Sequence, residues 1–269
     1  MGIGRIDASR DAAYLQDDFE HASVRAMRAP NTSLQASQLA STPLSGIVLC
    51  GLGLASLVAI VETVLTTSRL FPFIVMAAYC AGAVCLLACA ARYLRSERFG
   101  LANLITLTRW ALAALLIGAL AEDRSDRLLW YCVVVATIAL VLDGFDGYVA
   151  RRAGESTAFG ARFDMETDAA IMLVLCILVW YFDRAGVWIL AAGLMRYAFV
   201  AASWLAPRMR RALPPSTRRK TACVVQLIAL VAALAPLFSP AGAQILAGAG
   251  LLLLTASFAT DVSWLARQE

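Results

Sequence analysis

Long apolar segments follow one another through most of this chain, separated by short polar stretches. Several of them reach the roughly 20 residues that an α-helix needs to cross the hydrocarbon core of a bilayer. The apolar positions are continuous rather than alternating, and only helices or closed barrels satisfy every backbone group in lipid, so we predict helices. By this rule we expect about eight spans: Pro43–Leu65, Phe71–Ala91, Leu101–Ala121, Leu129–Leu142, Ala169–Phe182, Gly186–Leu205, Thr221–Phe238 and Ala243–Leu265.

The pattern therefore predicts an all-α fold, a polytopic integral membrane helix bundle. Hydrophobic residues make up 61% of the 269 residues and charged residues only 16%, which is less charge than a soluble domain of this length carries. The net charge is a modest +4, and we expect no nucleic-acid partner. Basic residues concentrate in alternate loops, above all between residues 206 and 220, so the positive-inside rule places both chain ends on the cytoplasmic side.

A polar run interrupts the apolar pattern between residues 142 and 169. It contains Asp143 and Asp146, which are three residues apart, and then Asp164 and Asp168, which are four apart. Carboxylates next to lipid are costly and usually have a function. These spacings put each pair on one helix face, and two antiparallel helices would bring the pairs together. Because packed carboxylates repel one another, we predict that they bind two divalent cations, Mg²⁺ or Mn²⁺.

Small and basic residues stay in register with these aspartates. Gly147 and Ala150 leave room for a ligand to approach the backbone, and Arg151 can hold a phosphate through two parallel hydrogen bonds. Two metal ions close together are the usual arrangement for displacement at phosphorus. The residues therefore predict a diphosphate site at the membrane surface.

The full pattern from Asp143 to Asp168 is Asp-x2-Asp-Gly-x2-Ala-Arg-x8-Gly-x3-Asp-x3-Asp. It resembles the signature of the CDP-alcohol phosphatidyltransferase family, with every signature position present. The upstream segment Asn103-Leu-Ile-Thr106-Leu-Thr-Arg109 is similar to the first core helix of that family.

The resemblance implies a function and a division of the chain. Residues 1–42 would be a polar cytoplasmic segment, residues 43–100 an extra transmembrane hairpin with its linker, and residues 101–269 the six-helix core of the family. The implied reaction is the metal-dependent transfer of a phosphatidyl group from CDP-diacylglycerol to the hydroxyl of a small polar alcohol, with release of CMP. We expect a homodimer in membrane lipid, in the bacterial inner (plasma) membrane, with the active site facing the cytoplasm.

The resemblance also implies roles for individual residues. Asp143, Asp146 and Asp164 would bind the first metal ion. Asp143, Asp164 and Asp168 would bind the second, and Asp168 would also be the general base. The residues implied to bind the CDP-lipid are Asn103, Thr106, Arg109, Gly147, Ala150, Arg151, Thr157 and Gly160.

The acceptor alcohol is left open by the sequence. Residues 164–169 read Asp-Met-Glu-Thr-Asp-Ala, whereas members that make phosphatidylglycerol phosphate typically read Asp-Pro-x-Ala-Asp-Lys; Lys220-Thr221 and Gln226, however, are similar to those members. We predict glycerol 3-phosphate, with Arg196, Arg210 and Lys220 as acceptor-binding residues, and inositol phosphate, serine or another alcohol as the alternative. As an alternative, Arg196 would form a structural pair with an aspartate. The basic loop between residues 206 and 220 would, as its alternative, be a topology signal that also attracts anionic lipid.

Two other function classes compete with the enzyme. A cation-coupled transporter would use the carboxylates as an ion site and should show helix breaks near the bilayer midplane and repeat symmetry. A catalytically silent relative would act as a scaffold. The clustering of the aspartates at one membrane face and the intact set with Arg151 favour the enzyme.

Overall fold

The computed structural model describes residues 42–93, 99–153, 157–205 and 216–267. These residues form α-helices joined by short loops and two 3₁₀ turns, and they contain no β-strand, which confirms the predicted fold class. The helices are α1 (Pro43–Leu65), α2 (Leu70–Tyr93), α3 (Leu101–Gly118), α4 (Asp126–Ala153), α5 (Ala158–Tyr181), α6 (Leu190–Leu205), α7 (Thr217–Leu234) and α8 (Pro240–Ala266).

Five of these helices, α1, α2, α3, α4 and α8, are long and apolar enough to cross a membrane. Two others carry charged residues in their first turns, which lowers their hydropathy: α5 contains Asp164, Glu166 and Asp168, and α7 begins Thr-Arg-Arg-Lys. Helix α6 has 16 residues and follows a 3₁₀ turn at Val187–Ile189. The chain is an integral membrane protein, and the number of eight spans stays a prediction.

Helix α5 begins close to Phe159, where the sequence predicts its start, and before the apolar segment Ala169–Phe182. It starts at Ala158, because Thr157 caps it: the Gly160 backbone N–H donates to Thr157 Oγ1 at 2.9 Å, satisfying a group that the helix itself leaves unpaired. The polar residues before Ala169 therefore continue the helix and hold Asp164 and Asp168 in its first three turns.

Helix α3 is the most enclosed of the five apolar helices, with 61% of its residues buried against 22–33% in the others. It contacts α1, α2, α4 and α5. The α1–α2 hairpin covers one side of it: Tyr79 Oη donates to the Ile47 carbonyl at 2.7 Å, and the indole of Trp110 lies in the space left by Gly82. Polar side chains on α3 are therefore held inside the protein.

Polar contacts join the four short loops at one end of the bundle, here called the loop end. Glu122, after α3, accepts hydrogen bonds from the Ser68 backbone N–H at 3.0 Å and the Ser68 hydroxyl at 2.8 Å. Tyr181 Oη, at the end of α5, donates to the Glu122 carbonyl at 2.9 Å. Arg184, in the following loop, is buried and donates to carbonyls of the α7–α8 turn at 2.7–2.8 Å, those of Ala233, Ala235 and Phe238.

Helix α6 approaches α5 closely at Gly193. A Cβ atom built on Gly193 would lie 2.7 Å from Leu173 Cα, and backbone atoms cannot give way as a flexible side chain can. We therefore expect Gly193→Ala to lower the free energy of unfolding by about 1–3 kcal/mol, because overpacking forces the helices apart. Thermal unfolding in detergent measures this change.

The matched control for Gly193→Ala is Gly53→Ala on α1. A Cβ atom at Gly53 would meet nothing within 4 Å. Alanine there should be neutral or stabilise the helix by up to about 1 kcal/mol. Equal melting temperatures for the two variants would contradict the close approach of α5 and α6.

Candidate active site

Carboxylates from two helices meet at the end of the bundle opposite the loop end. Asp143 lies in the last turns of α4, whereas Asp164 and Asp168 lie in the first turns of α5. One ligand oxygen from each of these three residues lies within 4.8 Å of the other two. Their side chains are 29–40% exposed, so the cluster is open to a ligand from outside the bundle.

Arg109 on α3 faces all three carboxylates. Its Nη2 lies 2.8 Å from Asp143 Oδ1, its Nη1 lies 2.7 Å from Asp164 Oδ1, and Nη2 also pairs with Asp168 Oδ1. The Arg109 side chain is only 1% exposed, so the guanidinium approaches the carboxylates from inside the protein. Within the described part of the site, one guanidinium thus faces three carboxylates, and the cluster retains an attraction for further cations.

The donor chemistry of this cluster fits a hard divalent cation. All of its ligand atoms are carboxylate oxygens, the type that Mg²⁺ and Mn²⁺ prefer, and the guanidinium already between them shows that the geometry accommodates positive charge. The helical backbone of α4 continues through the remaining predicted residues, but their side chains lie outside the described part of the structure; these are Asp146, Gly147, Ala150 and Arg151.

Three of the predicted CDP-lipid residues meet beside the carboxylates, where α3 and α5 begin. A Cβ atom on Gly160 would lie 2.8 Å from Asn103 Oδ1 and 3.1 Å from Thr157 Oγ1, so only glycine leaves the room that the buried Asn103 side chain occupies. Thr106, one turn before Arg109, is buried as well, and its hydroxyl donates to the Ala102 carbonyl at 3.1 Å. The start of α3 is therefore a row of buried polar side chains next to the acidic cluster.

Arg196 is not in contact with the three aspartates. Its Nη2 lies 2.5 Å from Glu166 Oε1, and Glu166 lies about 160° around α5 from Asp164 and Asp168 at 3.6 residues per turn. Arg196 borders a separate cavity of about 370 Å³, whose other lining residues are Ala161, Arg162, Met165, Glu166 and Val200. Arg196 therefore forms an ion pair, as the alternative predicted, but its partner is a glutamate and not an aspartate.

The other two predicted acceptor residues have different positions. Lys220 is exposed in the first turn of α7, and Arg210 lies outside the described residues. Helix α7 packs against both α4 and α5, the helices that carry the carboxylates. Arg219 lies 3.5 Å from Asp261 Oδ2 on α8.

Sequence reasoning assigned Arg109 to the CDP-lipid and missed its contact with the carboxylates. A signal was available: an arginine inside an apolar span is costly unless an opposite charge meets it. The aspartates of the polar run were the nearest candidates for that charge.

Comparisons with known proteins agree on one family. The sequence model of CDP-alcohol phosphatidyltransferases matches residues 99–260, more than half of the chain. A curated protein, the CDP-diacylglycerol–inositol 3-phosphatidyltransferase of Schizosaccharomyces pombe, is 45% identical over 49 residues, which cover 18% of this chain and 21% of that relative. The match thus spans about a fifth of the relative's length. No solved structure matches the chain.

The family match runs from the start of α3 almost to the end of α8. It includes the helix that carries Arg109 and the two helices that carry the aspartates. The resemblance seen in the sequence is confirmed, and this protein belongs to the CDP-alcohol phosphatidyltransferase family.

Proposed function

We propose that this protein transfers a phosphatidyl group from CDP-diacylglycerol to the hydroxyl of a small polar alcohol and releases CMP. The observation that carries the proposal is the convergence of Asp143, Asp164 and Asp168 at one end of a membrane helix bundle. Family membership supports the reaction class. A site at the end of the bundle suits a substrate whose acyl tails lie in lipid and whose nucleotide lies in water.

We propose that Asp143, Asp146, Asp164 and Asp168 hold two divalent cations, Mg²⁺ or Mn²⁺. Three of these carboxylates already converge, and Asp146 lies on the same helix as Asp143, about one turn further along α4. When bound, the ions would neutralise the diphosphate and stabilise the charge that develops on it during displacement.

In the proposed reaction Asp168 is the general base. Its partly exposed carboxylate takes the proton from the acceptor hydroxyl, whose oxygen attacks the lipid-linked phosphorus. The bond from that phosphorus to the bridging oxygen breaks, and CMP leaves with the electron pair. Arg151 would hold the diphosphate through its fork of N–H donors, and Asn103, with Thr157 and Gly160 beside it, would line the nucleotide side of the site.

Glycerol 3-phosphate is the acceptor we propose. Cationic residues near the start of α7 support an anionic acceptor: Lys220 is exposed there, and α7 packs against the two helices that carry the carboxylates. We include Arg196 and Arg210 among the proposed acceptor residues. Inositol or its phosphate is the second candidate, favoured by the fission yeast relative, whose name specifies inositol.

An acceptor panel tests the proposed function. Purified protein in detergent is given CDP-diacylglycerol and Mg²⁺ or Mn²⁺, with glycerol 3-phosphate, inositol, inositol phosphate or serine. We expect CMP release with one acceptor, dependence on the metal ion, and a lipid product that carries the acceptor. A product containing inositol would replace the proposed acceptor and keep the reaction. Folded protein that releases no CMP with any acceptor or metal would contradict the function and favour a transporter or a scaffold.

We further propose that the protein is a homodimer in the bacterial inner (plasma) membrane, with the carboxylates facing the cytoplasm. The basic residues at the start of α7 lie at the same end of the bundle as the carboxylates, which agrees with the positive-inside rule. Labelling of a cysteine introduced at Ser216 in intact and in permeabilised cells measures the orientation.

Light scattering of the protein–detergent complex measures the oligomeric state and tests the proposed homodimer.

A further inference from the structure

We propose that Arg109 is the resident counter-cation of the acidic cluster: it holds the three carboxylates together before metal binds, and metal binding displaces it from them. This inference rests on the metal site of the proposed function. It assigns Arg109 a role in the metal-free protein in addition to the CDP-lipid contact implied by the sequence.

The first support is the enclosure of Arg109. The side chain is 1% exposed and comes from α3, the most enclosed of the apolar helices, whereas the three aspartates are partly exposed. A buried guanidinium loses its hydration, and only ion pairs with good hydrogen-bond geometry compensate for that loss. Arg109 donates a hydrogen bond to Asp164 at 2.7 Å and another to Asp168, and it forms an ion pair with Asp143 at 2.8 Å.

The second support is that the guanidinium and a metal ion need the same three carboxylates. Arg109 contacts the Oδ1 oxygen of Asp143, of Asp164 and of Asp168. These are the residues whose ligand oxygens converge closely enough to share a metal ion. Two cations that require one set of carboxylates compete, so the free energy of metal binding includes the cost of breaking the Arg109 pairs.

This competition links the metal ions to the nucleotide side of the site. Arg109 lies on the same buried helix as Asn103 and Thr106, both predicted to bind the CDP-lipid. Once released from the carboxylates, the guanidinium remains at the same end of α3 and can pair with an anionic diphosphate instead. Metal binding therefore prepares a positive charge for the substrate, and the metal ion should bind before the nucleotide.

The test compares Arg109→Gln with the wild-type protein in the absence of any CDP-lipid. Titration calorimetry with Mn²⁺ measures metal affinity, and thermal unfolding is recorded in EDTA and in Mn²⁺. We expect the Kd for Mn²⁺ to decrease by about tenfold in Arg109→Gln, because the competing cation is gone. In EDTA its melting temperature should fall by about 5 °C or more, because the carboxylates repel one another, and Mn²⁺ should restore the lost stability.

The matched control is Arg124→Gln. Arg124 forms an ion pair with Asp183 at the loop end, but both side chains are exposed. This variant should keep the wild-type Kd for Mn²⁺ and the wild-type response of the melting temperature to EDTA. A shift equal to that of Arg109→Gln would attribute the effect to a loss of positive charge anywhere in the protein and would overturn the inference.

A second variant decides the case if Arg109→Gln does not fold. Arg109→Lys keeps a positive charge but cannot form the planar fork to several carboxylates. We expect its Kd for Mn²⁺ to lie between those of wild type and Arg109→Gln, and tighter than wild type. A wild-type Kd in the variant that folds, or a weaker one, overturns the inference. Wild-type protein that binds no Mn²⁺ would instead contradict the proposed metal site itself.

Discussion

Asp168→Asn should lower the rate of CMP release by about 10²- to 10⁴-fold, the range expected when a general base is removed. Asparagine has nearly the shape of aspartate but cannot accept a proton from the acceptor hydroxyl at neutral pH. It also removes one of the negative charges that would hold the metal ions. The fold should survive, because Arg109 keeps its ion pairs with Asp143 and Asp164.

The rate comparison needs saturating CDP-diacylglycerol, metal and acceptor, so that the loss appears in kcat. Asp183→Asn is the matched control, because it makes the same change of charge at the loop end. The backbone φ of Asp183 is 56°, a value that asparagine adopts readily. That variant should keep the wild-type rate. If Asp168→Asn kept more than about a third of the wild-type kcat, the role of Asp168 as base would be wrong.

Arg184→Met should have the largest effect on stability. Arg184 is 8% exposed and donates to the carbonyls of Ala233, Ala235 and Phe238 at 2.7–2.8 Å. Methionine keeps the apolar contacts but leaves these carbonyls without their charged donor. Hydrogen bonds from charged groups contribute about 1.5–3 kcal/mol each, but the contributions of one side chain are not additive. We therefore expect the free energy of unfolding to fall by about 3–5 kcal/mol, the range for removing one partner of a buried charged contact.

Thermal unfolding in detergent checks the loss at Arg184, with Arg124→Met as the control. Arg124 pairs with Asp183 and lies 4.8 Å from the centre of the Tyr181 ring, but its side chain is 49% exposed. An exposed pair contributes about 0–1 kcal/mol. The melting temperature should therefore fall much further in Arg184→Met, and equal shifts would show that the buried contacts do not stabilise the loop end.

The hydropathy pattern predicted the helices well because burial in lipid requires continuous apolar length. Helix α1 has the predicted bounds Pro43–Leu65, and the predicted span Leu101–Ala121 corresponds to α3 with its following 3₁₀ turn. The spacing within each aspartate pair also predicted that α4 and α5 would bring carboxylates to one level, and the three whose side chains the structure describes converge. Helical periodicity depends only on residues that are close together in the chain, so it can be recognised directly in the sequence.

The pairing of charges across helices was not accessible in the same way. Arg109 contacts Asp168, 59 residues later, and Arg184 contacts a turn about 50 residues later. No period in the sequence connects such positions, and their choice of partner depends on how the helices rotate when they pack. Arg196 illustrates the limit, because its partner Glu166 lies within the motif in sequence but on the other face of α5 from the aspartates.

The contacts that join the helices differ between the two ends of the bundle, and from this difference we expect the two ends to open at different rates. At the loop end, Glu122 and Arg184 join four interhelical connections mainly through hydrogen bonds to backbone groups, and the ion pair between Arg124 and Asp183 is exposed. At the opposite end, α3, α4 and α5 are joined by the ion pairs of Arg109. Opening of the bundle should begin at the carboxylates and pivot about the loops, so amide hydrogens of α4 should exchange with solvent faster near Asp143 than near Leu128.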